Sequence, residues 1–205
     1  MIQMMLVRHG QTDGNIQGRY QGRTDVDLNQ VGREQANKLA QRLSSEKIGY
    51  IYSSSLKRAM QTAEAVAKLH GMTVIPREDI REIDVGDLEG MTVEEIERKY
   101  GSQRELWENN SWCPPGGESL VQLNHRVGKF IEDIRQRHDE NTILVVAHGG
   151  TLRSLLSNCL EFGTHTWPRI SIDSASLSII TLNEDRAMLS LLNDTCHLQD
   201  SKGYI

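Results

Sequence analysis

The stretch Met4-Met5-Leu6-Val7-Arg8-His9-Gly10-Gln11-Thr12 decides how this chain is read. Its apolar half is a short buried strand and Gly10 punctuates the end, so Arg8 and His9 fall at the carboxyl edge of a sheet. That edge is where open α/β sheets place ligands. An imidazole there can act as a nucleophile, and a guanidinium that cannot lose its charge can hold phosphate oxygens bidentately. Phosphoryl transfer is the first hypothesis. Taken alone, the tripeptide reads more simply as a strand-end histidine hydrogen-bonded to a loop.

A second stretch of the same kind changes that balance. The β-branched run Thr142-Ile143-Leu144-Val145-Val146-Ala147 leads directly into His148-Gly149-Gly150. Two strands thus end in His-Gly, each followed by a segment able to start a helix. The backbone N–H groups of Gly149 and Gly150, with the helix start after Thr151, favour an anion. Between the two lies Ile51-Tyr52-Ser53-Ser54-Ser55, the end of another strand, followed by a helix with Arg58 in its first turn. A cation there opposes the helix dipole, so Arg58 is expected to face a ligand. The loop from Arg81 to Gly90 carries Glu82, Asp84, Asp87 and Glu89. Phosphoryl transfer needs a proton donor for the leaving oxygen, and spacing does not separate these four carboxylates.

Elsewhere the pattern alternates strands and helices. Residues near 29 to 46 put Val31, Ala36, Leu39, Ala40 and Leu43 on one helical face. The helix from about Leu56 to His70 ends at Gly71, and Met72-Thr73-Val74-Ile75 is a strand closed by Pro76. Thr92-Val93-Glu94-Glu95 is a capping box before Ile96 and Tyr100. The segment Trp107 to Gly117 is the least regular, a loop that either closes over a substrate or is anchored by its tryptophans. Leu120, Leu123, Val127, Ile131 and Ile134 recur at helical spacing between Ser119 and His138. Leu177 to Leu182 and Met188 to Leu192, split by Asn183-Glu184-Asp185-Arg186, read as an antiparallel hairpin. The alternation predicts a three-layer α/β/α sandwich around a mostly parallel sheet.

A chain of 205 residues without a linker, repeat or low-complexity run is read as one domain, 1–205. The formal net charge of −5 argues against nucleic acid as a partner. Cys113, Cys159 and Cys196 have neither disulfide-framework nor metal-type spacing. No apolar run approaches the roughly 18 residues of a membrane span, and the first residues are strand-like rather than a targeting segment, so the expected location is the cytoplasm.

The motifs together resemble the histidine phosphatase superfamily, which contains the cofactor-dependent phosphoglycerate mutases and many small phosphatases. The family opening is seen as Arg8-His9-Gly10-Gln11-Thr12-Asp13-Gly14-Asn15, then Tyr20-Gln21-Gly22-Arg23-Thr24-Asp25 and Leu28-Asn29-Gln30-Val31-Gly32. Ser53 to Ala59, Glu82 with Gly86 and Glu89-Gly90, Gly117-Glu118-Ser119, and Val146 to Gly150 follow in family order. The resemblance spans nearly the whole chain and implies a six-stranded mixed sheet. It further implies that His9 is the nucleophile that becomes a phosphohistidine, and that Arg8, Arg58 and His148 bind the phosphoryl oxygens. Glu82 would be the general acid and then the base for water. Asn15, Gln21, Gly22, Gly149 and, more weakly, Thr12 would complete the substrate cradle. His9 must then present a neutral nitrogen, which nearby cations favour, while Glu82 must carry a proton. No metal or other cofactor is called for, since arginines do the neutralising.

The chain lacks the arginine- and proline-rich insertion of the mutases, so the expected activity is hydrolysis of a small phosphomonoester. A cofactor-dependent phosphoglycerate mutase is the alternative, and a phosphate-recognition module without chemistry the second alternative. Phosphoserine, phosphoglycerate, a sugar phosphate and ribazole phosphate all fit as substrates. An edge strand of the terminal hairpin offers a surface for a homodimer. His70, His125, His138 and His165 read as helix-end or loop residues, and His197 matches a C-terminal pattern of small phosphatases without a derivable role.

Overall fold

The structure is a computed structural model describing residues 1–109, 112–163, 167, 169–184 and 186–199. The expectations for His165, for Asp185 in the hairpin turn, and for Asn110 and Ser111 in the irregular loop lie outside them. Six strands form a mixed sheet: β1 (Ile2–Arg8), β2 (Tyr50–Ser54), β3 (Ile75–Arg77), β4 (Thr142–Ala147), β5 (Leu177–Leu182) and β6 (Ala187–Asp194), in the order β3-β2-β4-β1-β5-β6. The first four in that order run parallel, and β5 and β6 add an antiparallel edge. The three-layer α/β/α sandwich expected from the sequence is the fold observed.

Side-chain alternation in the two central strands assigns the layers. Met5, Val7, Leu144 and Val146 point to one face, against α2 (Gln30–Leu43) and α3 (Lys57–His70). Met4, Leu6, Ile143 and Val145 point to the other, against α6 (Leu120–Arg137) and α7 (Gly149–Cys159). Both faces are covered, which is why these strands read as continuous apolar runs rather than alternating ones. Among the described residues, three further short α-helices are α1 (Asp13–Ile16), α4 (Val93–Tyr100) and α5 (Gln103–Glu108), besides 3-10 turns at Gly86–Leu88 and Cys196–Leu198.

The register of β1 against β4 builds the site. Arg8 pairs with Ala147 across this parallel ladder, so His9 and His148, one residue further, emerge side by side. The His9 N–H donates to the Ala147 carbonyl at 3.0 Å. On the other flank of β4, Ser53 pairs with Val146, which brings Ser54 alongside His148. A Cβ on Gly10 would stand 2.5 Å from the Gly32 carbonyl, and one on Gly32 2.1 Å from the Gln11 carbonyl. Two glycines in contact therefore let the first turn of α2 abut the loop that follows β1.

Three local expectations are corrected. Val31 is exposed, and Gly32 is buried in its place. Gly32 precedes Leu39 and Leu43 by nearly whole numbers of turns, whereas Val31 is one residue out of phase. The strand placed at Met72–Ile75 is instead Ile75–Arg77, with Pro76 inside it. This strand is at the sheet edge and β2 is its one neighbour, so a residue without an N–H is tolerated. Trp107 belongs to α5 rather than to the loop, and it is buried against Tyr20, Trp112 and Trp167.

Candidate active site

A cleft of about 260 Å³ opens at the carboxyl end of the sheet, lined by Arg8, His9, Asn15, Gln21, Gly22, Arg58, Glu82 and Gly149 among others. Eight of the ten residues singled out from the sequence are thus on one wall. Four arginines (Arg8, Arg19, Arg58 and Arg153) face a single carboxylate, Glu82, along this lining. On a chain of net charge −5 that is a local inversion, and it fits a dianionic ligand.

His9 is buried, and its Nδ1–H donates to the Gly10 carbonyl at 2.7 Å. That bond fixes the tautomer and leaves Nε2 with its lone pair, without a partner among the described residues. Burial, then Arg58 and Arg8, hold the imidazole well below the usual histidine range, so it is neutral at physiological pH. The Gly10 N–H donates to Thr62 Oγ1 at 3.0 Å, tying the loop after β1 to α3.

Arg58 is fully buried, with Nη1 donating to the Thr24 carbonyl (2.7 Å) and Nη2 to the Gly22 carbonyl (2.8 Å). Its Nε donates to His148 Nδ1 at 3.2 Å, so His148 carries its proton on Nε2 and donates to Ser54 Oγ at 2.7 Å. His148 packs on His9 with ring centroids 5.1 Å apart but is off the cleft wall, both nitrogens being used. Burial, then Arg58, keep its pKa well below the usual value. Arg8 donates from Nη1 to the Ile172 carbonyl at 2.7 Å, while its buried Nε has no partner among the described residues. A guanidinium N–H left unsatisfied in a buried wall is costly, and a bound anion supplies the missing acceptor.

Thr12 is the other residue off the wall. Its buried hydroxyl, with one proton to give, donates to Gln21 Oε1 (2.8 Å) and lies 3.0 Å from Asn15 Oδ1, which accepts the Thr12 N–H (3.0 Å). Both side-chain carbonyls are thereby occupied. The two amide nitrogens, uncommitted among the described residues, are the donors left for a ligand. Thr12 thus orients the cradle instead of contributing to its surface.

The structure separates the four carboxylates that spacing could not. Of these, Glu82 alone lines the cleft. It accepts from the N–H groups of Ile83 (2.9 Å), Gly150 (3.1 Å) and Thr151 (3.1 Å), so the first turn of α7 fixes the position of its carboxyl group. Gly150 is required there, since a Cβ would stand 2.5 Å from Glu82 Oε1. Arg126 holds the same loop from behind through the carbonyls of Asp79 and Glu82, and Glu118 pairs with Arg126 while accepting from the Asp84 N–H at 2.9 Å.

Arg153 and Trp167 were not singled out from the sequence, yet both line the cleft. Arg153 follows Gly149 by one helical turn, and that phase was the available signal. Trp167 offered no such signal. His197 acquires a place as well: its Nε2 hydrogen-bonds the Ala175 carbonyl at 3.0 Å, while the Ala175 N–H reaches the Arg8 and His9 carbonyls. The same loop supplies the carbonyls that hold Arg8 and Arg153, so His197 braces two site arginines at one remove.

This pair of strand-end histidines among arginines defines a phosphate-handling enzyme, and the relatives of the chain agree. A family model, histidine phosphatase superfamily (branch 1), matches residues 4–195. The chain belongs to that superfamily, and its relatives include phosphatases that hydrolyse phosphoric monoesters. It is 40% identical over 200 residues to phosphoserine phosphatase 1 of Hydrogenobacter thermophilus, covering 97% of this chain and 95% of that protein. It is 34% identical to a metal-independent phosphoserine phosphatase of Arabidopsis thaliana, covering 100% of this chain and 86% of the relative. Among solved structures, the phosphoserine phosphatase of Entamoeba histolytica in complex with 3-phosphoglyceric acid superposes with a TM-score of 0.88 at 28% identity, covering 97% of this chain and 100% of that one.

Proposed function

We propose that the chain is a metal-independent phosphomonoesterase that hydrolyses a small phosphorylated metabolite through a phosphohistidine on His9. The observation that carries this reading is the free Nε2 of a buried, neutral His9 at the mouth of a four-arginine cleft. The lone pair of Nε2 attacks phosphorus in line with the ester bond. As the P–O bond breaks, the Glu82 carboxyl passes its proton to the leaving oxygen, releasing the alcohol. Water then attacks the phosphohistidine, its proton passes to the Glu82 carboxylate, and the P–N bond breaks to give inorganic phosphate. Arg8 and Arg58, with the amide nitrogens of Asn15 and Gln21 and the walls at Gly22 and Gly149, receive the phosphoryl oxygens. In the loose transition state the charge spread over those oxygens is met by fixed guanidiniums. His148 acts by orienting Arg58 and backing His9, and Thr12 by orienting the two amides.

Relatives that act on phosphoserine support a small phosphorylated metabolite as substrate. The three cysteines form no disulfide among the described residues, which fits the reducing cytoplasm, and no described helix is long and apolar enough to cross a membrane. The whole of residues 1–205 acts as one domain. Edge strand β6 exposes Met188 and Leu192 and is the surface on which two copies would pair.

The test is phosphate release in excess EDTA from a panel of phosphomonoesters, with wild type compared to His9→Ala. Release by wild type and none by the variant is the expected result. Interconversion of phosphoglycerates without net release would make the enzyme a mutase, and neither activity would leave a phosphate-recognition module.

A further inference from the structure

Arg8 and Arg58 are committed to the phosphoryl group in the mechanism above, and Arg19 is tied to the Gly90 carbonyl and Glu95. Arg153 is the surplus cation. Its Nε donates to the Ile170 carbonyl at 2.6 Å and its guanidinium carbon is 5.1 Å from the centre of the Trp167 ring. The indole N–H of Trp167 is in turn fixed on the Gly150 carbonyl at 3.1 Å. Backbone and indole thus hold the guanidinium in one orientation, with its two terminal nitrogens unpartnered among the described residues. A Cβ built on Gly149 would be 3.6 Å from Arg153 Nη1 and 3.8 Å from Arg8 Nε. The two guanidiniums therefore flank a single glycine, one over the phosphoryl position and the other just beyond it.

Resting on the phosphomonoesterase reading, we infer that Arg153 is a specificity residue that binds a carboxylate of the substrate, carried on the ester-bearing carbon or on its neighbour. The chemistry fits in three respects. The free end of the guanidinium is a planar pair of N–H donors, which matches the two oxygens of a carboxylate. The terminal nitrogens of a half-buried guanidinium, with no hydrogen-bond acceptor among the described residues, leave donors that a substrate carboxylate satisfies. The Arg8 and Arg153 guanidiniums flank one glycine, Gly149, so a carboxylate one or two carbons from the ester meets Arg153 while the phosphoryl group stays on Arg8. The cleft then measures its substrate at two points, phosphoryl on Arg8 and Arg58, carboxylate on Arg153.

The experiment compares wild type, Arg153→Ala and Arg153→Lys on phosphoserine, 3-phosphoglycerate, p-nitrophenyl phosphate and a bisphosphate lacking a carboxylate. The expected result is a KM for the two carboxylated substrates raised about 10- to 100-fold in Arg153→Ala. That loss exceeds the change on p-nitrophenyl phosphate by at least about tenfold, and Arg153→Lys recovers part of it. The inhibition constant of inorganic phosphate should move far less than the Michaelis constants of the carboxylated pair. An equal loss on all substrates, a selective loss on the bisphosphate, or no loss on any would overturn the assignment. If wild type hydrolyses none of the four, the phosphomonoesterase reading itself fails, which is a different result from an Arg153 variant that treats all four alike.

Discussion

Acid sensitivity of the fold reports directly on the protonation state of His9, the proposed nucleophile. His9 and His148 are both buried, and both are held well below the ordinary histidine pKa, first by burial and then by Arg58. In the unfolded chain each titrates near 6.5. Between that value and the lowered folded value, the unfolded state binds a proton that the folded state refuses. Stability is therefore fully present above about pH 7 and is lost as pH falls below about 6.5. Each such histidine contributes a slope of about 1.4 kcal/mol per pH unit in that window, or about 2.8 for the pair. Carboxylates whose folded pKa is lowered, such as Asp133 and Asp194, lose their contribution only at lower pH. His138 and His197, also lowered, add to the slope of every variant alike. The assay is urea unfolding at intervals from pH 7 to pH 5 for wild type, His9→Gln and His148→Gln. Each substitution should flatten the dependence by about 1.4 kcal/mol per pH unit, whatever it does to stability at pH 7. A His9→Gln profile parallel to wild type would mean that His9 takes up its proton as readily in the folded protein, and the argument for a neutral nucleophile would fall.

Three further outcomes follow from the site. Glu82→Gln keeps an acceptor at the first turn of α7 but cannot carry a proton to the leaving oxygen, so kcat on alkyl phosphates should fall about 10²- to 10⁴-fold; a loss below tenfold would remove Glu82 from that role. Gly150→Ala places a methyl 2.5 Å from Glu82 Oε1 and must push the carboxylate off the Gly150 and Thr151 N–H groups. Its kcat should drop by at least about tenfold while the thermal midpoint holds, since alanine is the better helix residue; an unchanged kcat would show that the position of the carboxylate is not critical. Thr12→Val removes the hydroxyl that fixes the Asn15 and Gln21 amides. The inhibition constant of inorganic phosphate should rise about five- to tenfold, as expected for one or two lost hydrogen bonds, and Thr12→Ser should restore it. Equal weakening by Ser and Val would point to packing instead.

The strands and most helices were legible in the sequence because their apolar periods are strong and their ends are marked by His-Gly, Gly71 and capping boxes. The place of Arg8 and His9 on the cleft wall was legible because both lie at a strand end. What stayed hidden depends on register and phase. That Arg8 pairs with Ala147, and so sets His9 beside His148, is a property of the sheet and not of either strand alone. The choice of Glu82 among four carboxylates is made by the first turn of α7, which lies far along the chain from it. Thr12 and His148 have the residue types of ligand-binding groups, yet burial and neighbouring acceptors turn them inward. Val31 and the strand misplaced before Pro76 failed on phase, by one residue in the helix and by three along the edge strand. Arg153 was missed because it reads as an ordinary helical arginine unless its phase against Gly149 is followed, and no pattern in the sequence singled out Trp167.

The central claim, a phosphoryl group carried on His9 Nε2, is tested most directly by rapid-quench mass spectrometry with p-nitrophenyl phosphate on wild type and Glu82→Gln. Nitrophenolate leaves without needing an acid, whereas hydrolysis of the phosphohistidine needs the Glu82 base, so the variant should accumulate the intermediate. The account predicts a burst of nitrophenolate approaching one per active site and a single phosphoryl group mapped to His9. Phosphate release with no burst and no label, or a label on His148, would contradict it.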